Sequence, residues 1–278
     1  AEGVETGDIF TISGSDTTEN NDLNKTVLAV TSGILTAPDG SFTAAATSDT
    51  AGTLVIRRKL TQGTQPTRSS YNIEQYDEDT DLSEVFLGCR CVGMQLSFQP
   101  GQMATAVFTF IGIDRNKLTT GTSPFFTSPS VTTNLALIAD DSSIQYNGAA
   151  VTTFTGFDLN FQITAAGEPV IGSFTTPDIF DNDLDVTGTI TGLREDFSNL
   201  TLFDNETEFA VSILLEAPGS TPKQCISIHV PRAKISALSA PVGGGDGAKI
   251  ETKTLMIGPK VSDATADAGV VTISTSEV

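Results

Sequence analysis

The chain has 278 residues, enough for one large domain or two ordinary ones that each bury a core. Its formal net charge is −19, and acidic residues outnumber basic ones in both halves. This excess argues against a protein that binds DNA or RNA, because such binding needs clustered Lys and Arg. The one dense basic run, Arg57-Arg58-Lys59, is too short for that purpose and is typical of a solvated strand end.

Cysteine usage and hydropathy exclude further classes. The chain has three cysteines, Cys89, Cys91 and Cys225. An odd and low number argues against a secreted disulfide scaffold and favours reduced thiols. No stretch approaches the roughly 20 apolar residues of a membrane helix, and the first ten residues lack the basic start and apolar block of a signal peptide. We therefore expect a soluble protein without a membrane anchor.

The first half of the chain predicts strands and one long hairpin. Thr, Ser, Gly and Val are plentiful, a bias that favours strands and turns over helices. A half-buried strand is predicted where apolar and polar residues alternate, as they do around Val92, Met94, Leu96 and Phe98. The hairpin runs over Cys89–Phe98, turns at Gln99–Gln102 and returns over Met103–Ile113.

The second half repeats this pattern after a polar segment, Leu118–Thr133, that we interpret as a linker. Two further alternating runs predict strands, with their apolar residues at Phe157, Leu159, Phe161 and Ile163 in one and at Leu184, Val186 and Ile190 in the other. One short helix is predicted over Asp196–Asn205, with Asp196 as its N-cap and Phe197, Leu200 and Phe203 at helical spacing.

A second long hairpin and a terminal arm complete the chain. The hairpin runs over Ile226–Ala240, turns through a glycine-rich tip and returns over Ala248–Ile257. The arm covers about 259–278, and Val270–Ser274 within it predicts an added strand. The hairpin arms exceed the usual strand length of about 5–6 residues, so we expect them to pair with neighbouring chains.

The two hairpins suggest an internal duplication. Each half reads as strand, turn, strand and then an aromatic or Ile residue before Gly. We predict a mainly β fold with two tandem sandwich or barrel domains, each with a long hairpin and at most a short flanking helix. The boundaries are 1–118 for the first domain and 119–278 for the second.

A search for catalytic or metal-binding patterns finds none. His229 is the single histidine and lies in a strand pattern, where packing or surface exposure explains it better than catalysis. The segments Asp77–Asp81 and Asp181–Asp185 resemble calcium loops but lack the glycine at the sixth position and the acidic residue at the twelfth. No Cys and His cluster has the spacing of zinc ligands. We expect no enzyme activity, cofactor or metal.

A family resemblance rests on three segments. The first begins at Asn72 and reads NIEQYDEDTDLSEVFLGCRCVGMQLSFQPGQMATAVFTFIGID. The others read FSNLTLFDNETEFAVSILLE and ISIHVPRAKI. In this order they resemble the major tail tube proteins of siphophages, which have long non-contractile tails. The resemblance covers roughly 70–260, and Cys91 departs from it where Val is common.

The resemblance implies how the chain assembles and what it does. Such tube domains are small β-sandwiches whose long hairpins close a β-barrel around a channel, usually with six domains in a ring. Two domains per chain then imply a trimeric, pseudo-hexameric ring, stacked into a tube in the virion after assembly in the host cytoplasm. Tape-measure, tail terminator and tail tip proteins are the implied partners, and genome DNA passes the acidic lumen without specific binding.

Channel-facing positions are predicted from the strand pattern of the two hairpins. A channel face of carboxylates and neutral polar groups would not bind the phosphates of DNA. The same side chains could equally well form contacts between subunits. The predicted lumen or inter-subunit residues are Gln95, Ser97, Thr105, Thr109, Lys249, Glu251 and Lys253.

Three other functions remain open from sequence. The chain could be another self-assembling tube or virion surface protein, a β-sandwich binding or adhesin module, or a β-rich hydrolase. A binding module would need an exposed aromatic patch, whereas most aromatics here are Phe within strand patterns. A hydrolase would need a catalytic constellation that the sequence lacks.

Overall fold

A computed structural model describes residues 4–31, 34–38, 42–43, 51–61, 69–131, 134–139, 142–173, 175–219, 223–241, 247–259 and 269–276. Over these ranges the chain is mainly β, with strands β1 to β18, one α-helix and one short 3₁₀ helix at Thr18–Asn20. The described residues include no helix long and apolar enough to cross a membrane.

A small sheet and a hairpin form at the start of the chain. Their strands are β1 (Ile9–Ser13), β2 (Lys25–Thr26), β3 (Ala29–Thr31), β4 (Ile34–Thr36) and β5 (Thr53–Ile56). The small sheet has the order β2-β1-β5, and β3 pairs with β4. Ile9 is fully buried and packs with Leu214 and Cys225, so the small sheet is anchored on the second half of the chain.

A 13-stranded sheet forms most of the molecule. Its strands are β6 (Arg58–Thr61), β7 (Tyr71–Asp77), β8 (Leu82–Phe98), β9 (Thr105–Ile111), β10 (Asp114–Leu118), β11 (Ser142–Tyr146), β12 (Ala149–Ala150), β13 (Phe154–Gly167), β14 (Ile179–Leu193), β15 (Phe209–Glu216), β16 (Cys225–Ser239), β17 (Ile250–Ile257) and β18 (Thr272–Thr275). Its main path is β10-β8-β13-β14-β17-β16-β15-β11-β12.

Strand β8 connects the two halves of the chain. Its first half lies between β7 and β10, and its second half lies between β9 and β13. The pairing with β13 joins residues 93–98 to residues 157–162 in an antiparallel ladder. The hairpin of the first half is therefore continuous with the sheet of the second half.

The main core lies on one face of this sheet. Because successive side chains in a strand point to opposite faces, the alternating apolar residues of β8, β13 and β14 all reach the same side. The buried members of the core are Phe98, Phe157, Leu159, Val186, Ile190, Phe209, Val211, Ile213, Leu215, Ile228, Val230, Ala233, Ile235, Leu255, Ile257 and Val271.

The helix α1 (Ser198–Asp204) is shorter than the sequence predicts and begins two residues later. Phe197 occupies the N-cap position and is 66% exposed, so its predicted packing role is wrong. Asp196 lies one residue before that position, and its carboxylate accepts the Ser198 backbone N–H at 2.8 Å, so it satisfies a donor of the first turn as a capping residue does. Leu202 and Phe203 pack on the core.

The two predicted hairpins and the added strand are confirmed. The expected pairing of the second hairpin with a neighbouring chain is wrong, because β17 pairs with β14 and β16 pairs with β15 in the same chain. β8 pairs with β9 and β16 pairs with β17, both antiparallel, and β18 pairs with β16 and β6. The tip of the second hairpin at 242–246 and the arm at 260–268 lie outside the described residues. The division into domains at 118/119 stays a prediction.

Candidate functional site: a polar sheet face

The strand register brings one row of polar side chains across five neighbouring strands. Thr105 lies opposite Ser97, which lies opposite Asp158, and the row continues through Thr189 to Thr254. Residues directly opposite each other in a sheet share a face. We call this surface the polar face; it comprises Gln95, Ser97, Thr105, Thr109, Asp158, Asn160, Gln162, Asp185, Thr187, Thr189, Thr191, Thr252 and Thr254.

The polar face lies on the opposite side of the sheet from the core. Gln95, Asn160, Thr187 and Thr254 are exposed, whereas Leu159, between Asp158 and Asn160 in the same strand, has no exposed surface. This contrast follows from the two-residue period of the strands. The result is a surface made mainly of hydroxyl, amide and carboxylate groups, with the exposed apolar side chains of Val107 and Met256 among them.

The predicted residues of the first hairpin all belong to the polar face. Gln95, Thr105 and Thr109 are exposed, and Ser97 is half-buried. The Ser97 hydroxyl donates a hydrogen bond to the Asp158 carboxylate on the neighbouring strand. The sequence therefore placed these four side chains on one surface, and their role there stays a prediction.

The predicted residues of the second hairpin do not join this surface. Lys249 precedes β17 and is exposed, but Glu251 and Lys253 are 2% and 1% exposed and point to the core side. Thr252 and Thr254 are the residues of β17 on the polar face. For Glu251 and Lys253 the burial favours a role inside the chain.

Glu251 and Lys253 take part in a buried polar cluster that sequence reasoning missed. Lys253 Nζ lies 3.6 Å from Glu251 Oε1, 4.6 Å from the centre of the Phe154 ring and 5.6 Å from that of Tyr146. The Asn199 side-chain amide donates a hydrogen bond to the same Glu251 oxygen. Residues 52 positions apart in the chain thus meet at one carboxylate, and no local pattern signals such a meeting.

Burial shifts the pKa values of two members of this cluster. Desolvation lowers the pKa of the Lys253 ammonium, although the nearby Glu251 partly opposes the change. Desolvation, followed by the charge of Glu251, raises the pKa of Tyr146. The Tyr146 hydroxyl is buried and has no hydrogen-bond partner among the described residues.

Strand β9 is an edge strand with an unusual exposure pattern. It keeps the alternation of a half-buried strand, yet all its residues except Ile111 are exposed. Phe108 and Phe110, on the core side of the sheet, are 52% and 38% exposed. In the described part of the chain no strand covers its second edge.

His229 and Arg90 form ordinary structural contacts. His229 is 4% exposed, and its Nδ1 lies 2.7 Å from the Ser212 hydroxyl, so packing explains it. Arg90 pairs with Asp181 at 3.1 Å and with Asp178 at 2.7 Å. Over the described ranges, no group of three His, Cys, Asp or Glu residues could hold a metal ion, and the three cysteines are free thiols.

A structural β-protein is the class that this architecture defines: a large sheet with a polar face, a buried core and an uncovered apolar edge. Residues 14–273 match the family described as phage tail tube protein. The chain belongs to this family, whose members are structural proteins of the virion tail and not enzymes.

Two other comparisons add little. No curated protein matches the chain. Among solved structures, a chain from the structure titled "Cryo-EM structure of the anti-feeding prophage (AFP) baseplate, 6-fold symmetrised" matches at 11% identity and a TM-score of 0.31. The match covers 55% of this chain and all of that one, and the likeness is too weak to support an inference.

Proposed function

We propose that copies of this chain assemble into stacked rings that form the tube of a long, non-contractile phage tail. The tube is the conduit through which genome DNA leaves the particle for the host cell. The tube assembles in the host cytoplasm. Its partners in the tail are the tape-measure, tail terminator and tail tip proteins. Membership of the tail tube family supports the oligomeric part of this proposal.

The exposure of β9 is the observation that carries the proposal. A strand with alternating side chains is stable when one face is covered, and an exposed edge with free N–H and C=O groups is a template for another strand. A second copy that pairs with β9 would continue the sheet and cover Phe108 and Phe110. Repeating that head-to-tail contact around an axis closes a ring.

The polar face suits the wall of a DNA channel. In the proposed ring it faces inward, since the opposite face is occupied by the core. Its hydroxyl and amide groups carry no charge, and its carboxylates Asp158 and Asp185 repel phosphate. Together with a net charge of −19, this surface lets DNA slide without binding.

The number of chains in the ring follows from the proposed duplication. If residues 1–118 and 119–278 each supply one tube-type unit, three chains complete a ring of six units. Three-fold symmetry in averaged electron-microscopy images of the rings would support this arrangement. A ring of six chains would contradict the division into two units, but not the proposed tube.

Negative-stain electron microscopy of the purified protein, across concentration and salt, tests the assembly. We expect tubes or stacked rings with a central hole for the wild type. The double substitution Phe108→Ser with Phe110→Ser removes apolar contacts that only a neighbour would cover, so it should abolish assembly. Phe110 is 38% exposed and its ring lies 6.2 Å from that of Tyr71 in the same chain, so the double variant should also lose about 1–2 kcal/mol of its own unfolding free energy. Denaturant unfolding checks that it still folds.

Val107→Thr provides the matched control. Val107 directly precedes Phe108 in β9, is 59% exposed and lies on the polar face, opposite Gln95. Its replacement by a β-branched polar residue preserves strand propensity and should leave assembly intact. A double variant that assembles as well as wild type contradicts the role of β9. Wild-type protein that stays monomeric even with tail tip proteins contradicts the tube.

A further inference from the structure

The buried cluster around Lys253 contains the groups needed for a reaction between side chains. Lys253 provides an amine that is 1% exposed, and Asn199 provides a primary amide at the start of α1. Glu251 lies between them, since both nitrogens contact the same carboxylate oxygen, Oε1. The rings of Phe154 and Tyr146 flank the amine.

Burial makes the ammonium of Lys253 easier to deprotonate than it is in water. A lysine attacks a carbonyl carbon only when it is neutral, and removal from water disfavours the charged form. Burial lowers the pKa of Lys253 in this cluster. At 3.6 Å the contact with Glu251 is longer than a hydrogen bond, so the carboxylate does not hold the ammonium as tightly as a short ion pair would.

The side-chain amide of Asn199 lies where the Glu251 carboxylate can exchange protons with both Asn199 and Lys253. Asn199 Nδ2, the nitrogen that would leave, donates its hydrogen bond to Glu251. A carboxylate beside both an attacking and a leaving nitrogen can take a proton from one and give it to the other. The shared contact with Glu251 Oε1 places the amide of Asn199 and the amine of Lys253 beside the same carboxylate, and a reaction between them requires only that the two side chains approach each other there.

We propose that Lys253 and Asn199 form an intramolecular isopeptide bond, with Glu251 as the proton relay. The ammonium of Lys253 gives a proton to Glu251, and the neutral amine attacks Cγ of Asn199. The new Nζ–Cγ bond forms and the Cγ–Nδ2 bond breaks. Nδ2 leaves as ammonia after receiving a proton from Nζ, and it departs as ammonium with the proton held by Glu251. No oxidant, reductant or cofactor is needed.

The bond would join α1 to β17 covalently and close a loop of the chain between residues 199 and 253. A cross-link of this kind restricts the unfolded chain, as a disulfide does, but it does not depend on the redox state of the compartment. It is independent of the proposed assembly, because all its groups belong to one chain.

Intact mass spectrometry of the denatured full-length protein tests the proposal. We expect a mass below that of the sequence by one ammonia molecule, in fresh protein or after prolonged incubation at the growth temperature of the host. Trypsin should then yield a branched peptide that joins residues 195–223 to residues 250–260, because acylated Lys253 is not cleaved. An unchanged mass after incubation overturns the proposal.

Peptide mapping separates this bond from other losses of ammonia. Asn147-Gly148 is a sequence that can cyclise to a succinimide with the same change of mass. A loss that maps only to the peptide with Asn147 overturns the proposal. A loss that maps to the branched peptide supports it.

Variants identify the participating groups. Lys253→Arg removes the nucleophile and Glu251→Gln removes the proton relay. Both variants should therefore have the mass calculated from their sequences, with no loss of ammonia. Asn199→Asp should still cross-link, now with loss of water. Lys249→Arg replaces an exposed lysine near the same strand and should leave the cross-link unchanged. A cross-link that persists at the wild-type level in Glu251→Gln contradicts the relay.

Discussion

At the scale of single residues, Gly7 occupies a position that accepts no other side chain. Its φ is +94°, and a Cβ atom there would lie 2.1 Å from Cγ of His229. A left-handed backbone conformation at a residue other than glycine costs about 1–3 kcal/mol. We expect Gly7→Ala to lower the unfolding free energy by more than this strain alone, because the imidazole of His229 is buried and must also move. Denaturant unfolding measures the loss.

Gly101→Ala separates strain from steric contact. Gly101 has a φ of +70°, and an added Cβ atom would meet nothing within 4 Å. This variant should lose only the cost of the backbone conformation, about 1–2 kcal/mol. Equal losses for the two variants would show that the contact with His229 costs nothing.

The sequence predicts the residues of the polar face correctly only where the polarity of the side chains and the two-residue alternation of the strand indicate the same face. In the first hairpin the apolar residues Leu96 and Phe98 fix the face of Gln95 and Ser97. In β17 the charged residues Glu251 and Lys253 occupy the same alternation as Leu255, which belongs to the core. The usual expectation that charged side chains face solvent therefore places Glu251 and Lys253 on the wrong side of the sheet. Leu255, two residues after Lys253, is the residue in the sequence that indicates their true side.

At the scale of elements, β18 closes the sheet between two strands that are far apart in the sequence. It pairs with β6 on one side and β16 on the other, and the preceding Val271 is buried in the core. A chain ending at Gly269 should lose at least about 2 kcal/mol of unfolding free energy through the apolar area exposed. Its β6 amides should lose protection in hydrogen exchange.

A chain ending at Ser276 is the control for this truncation. It keeps β18 and the Ser276 backbone N–H, which donates to the Cys225 carbonyl at 3.0 Å. Its stability and the protection of β6 should match those of the full chain. Protection of β6 that survives removal of β18 would mean that other contacts hold this strand.

Local pattern accounts for the hairpins and the closing strand but not for the pairing of β8 with β13. Alternation and turn residues are local, and they identify β8, β9, β16 and β17. Which strand pairs with a free strand edge depends on packing between segments that are distant in the sequence. The periodicity of a single segment does not contain that information.

At the scale of the whole molecule, the proposed weak attraction between the channel and DNA should be reversed by basic substitutions on the polar face. Asn160 and Thr187 lie opposite each other on the polar face, and both are exposed. Assembled tubes with Asn160→Lys and Thr187→Lys should retain DNA at low salt and release it as salt rises. Phage complemented with this variant should eject DNA more slowly than phage with the wild-type protein.

The control adds the same charge elsewhere. Val131→Lys with Ile171→Lys changes two residues that are 86% and 106% exposed and lie outside every strand. If the polar face lines the channel, this variant should retain no more DNA in the lumen than the wild type does. Equal retention by both variants would mean that total charge, and not its position, decides the outcome.

Threonine makes up seven positions of the polar face, and its side chain is short and branched at Cβ. Such a side chain has few χ1 rotamers within a strand, so it neither folds away nor extends. In the proposed tube the bore is therefore set by the backbone and varies little with thermal motion. At these seven positions a moving polymer would meet a wall of uniform height, interrupted only where longer side chains such as Gln95 and Gln162 stand between the threonines.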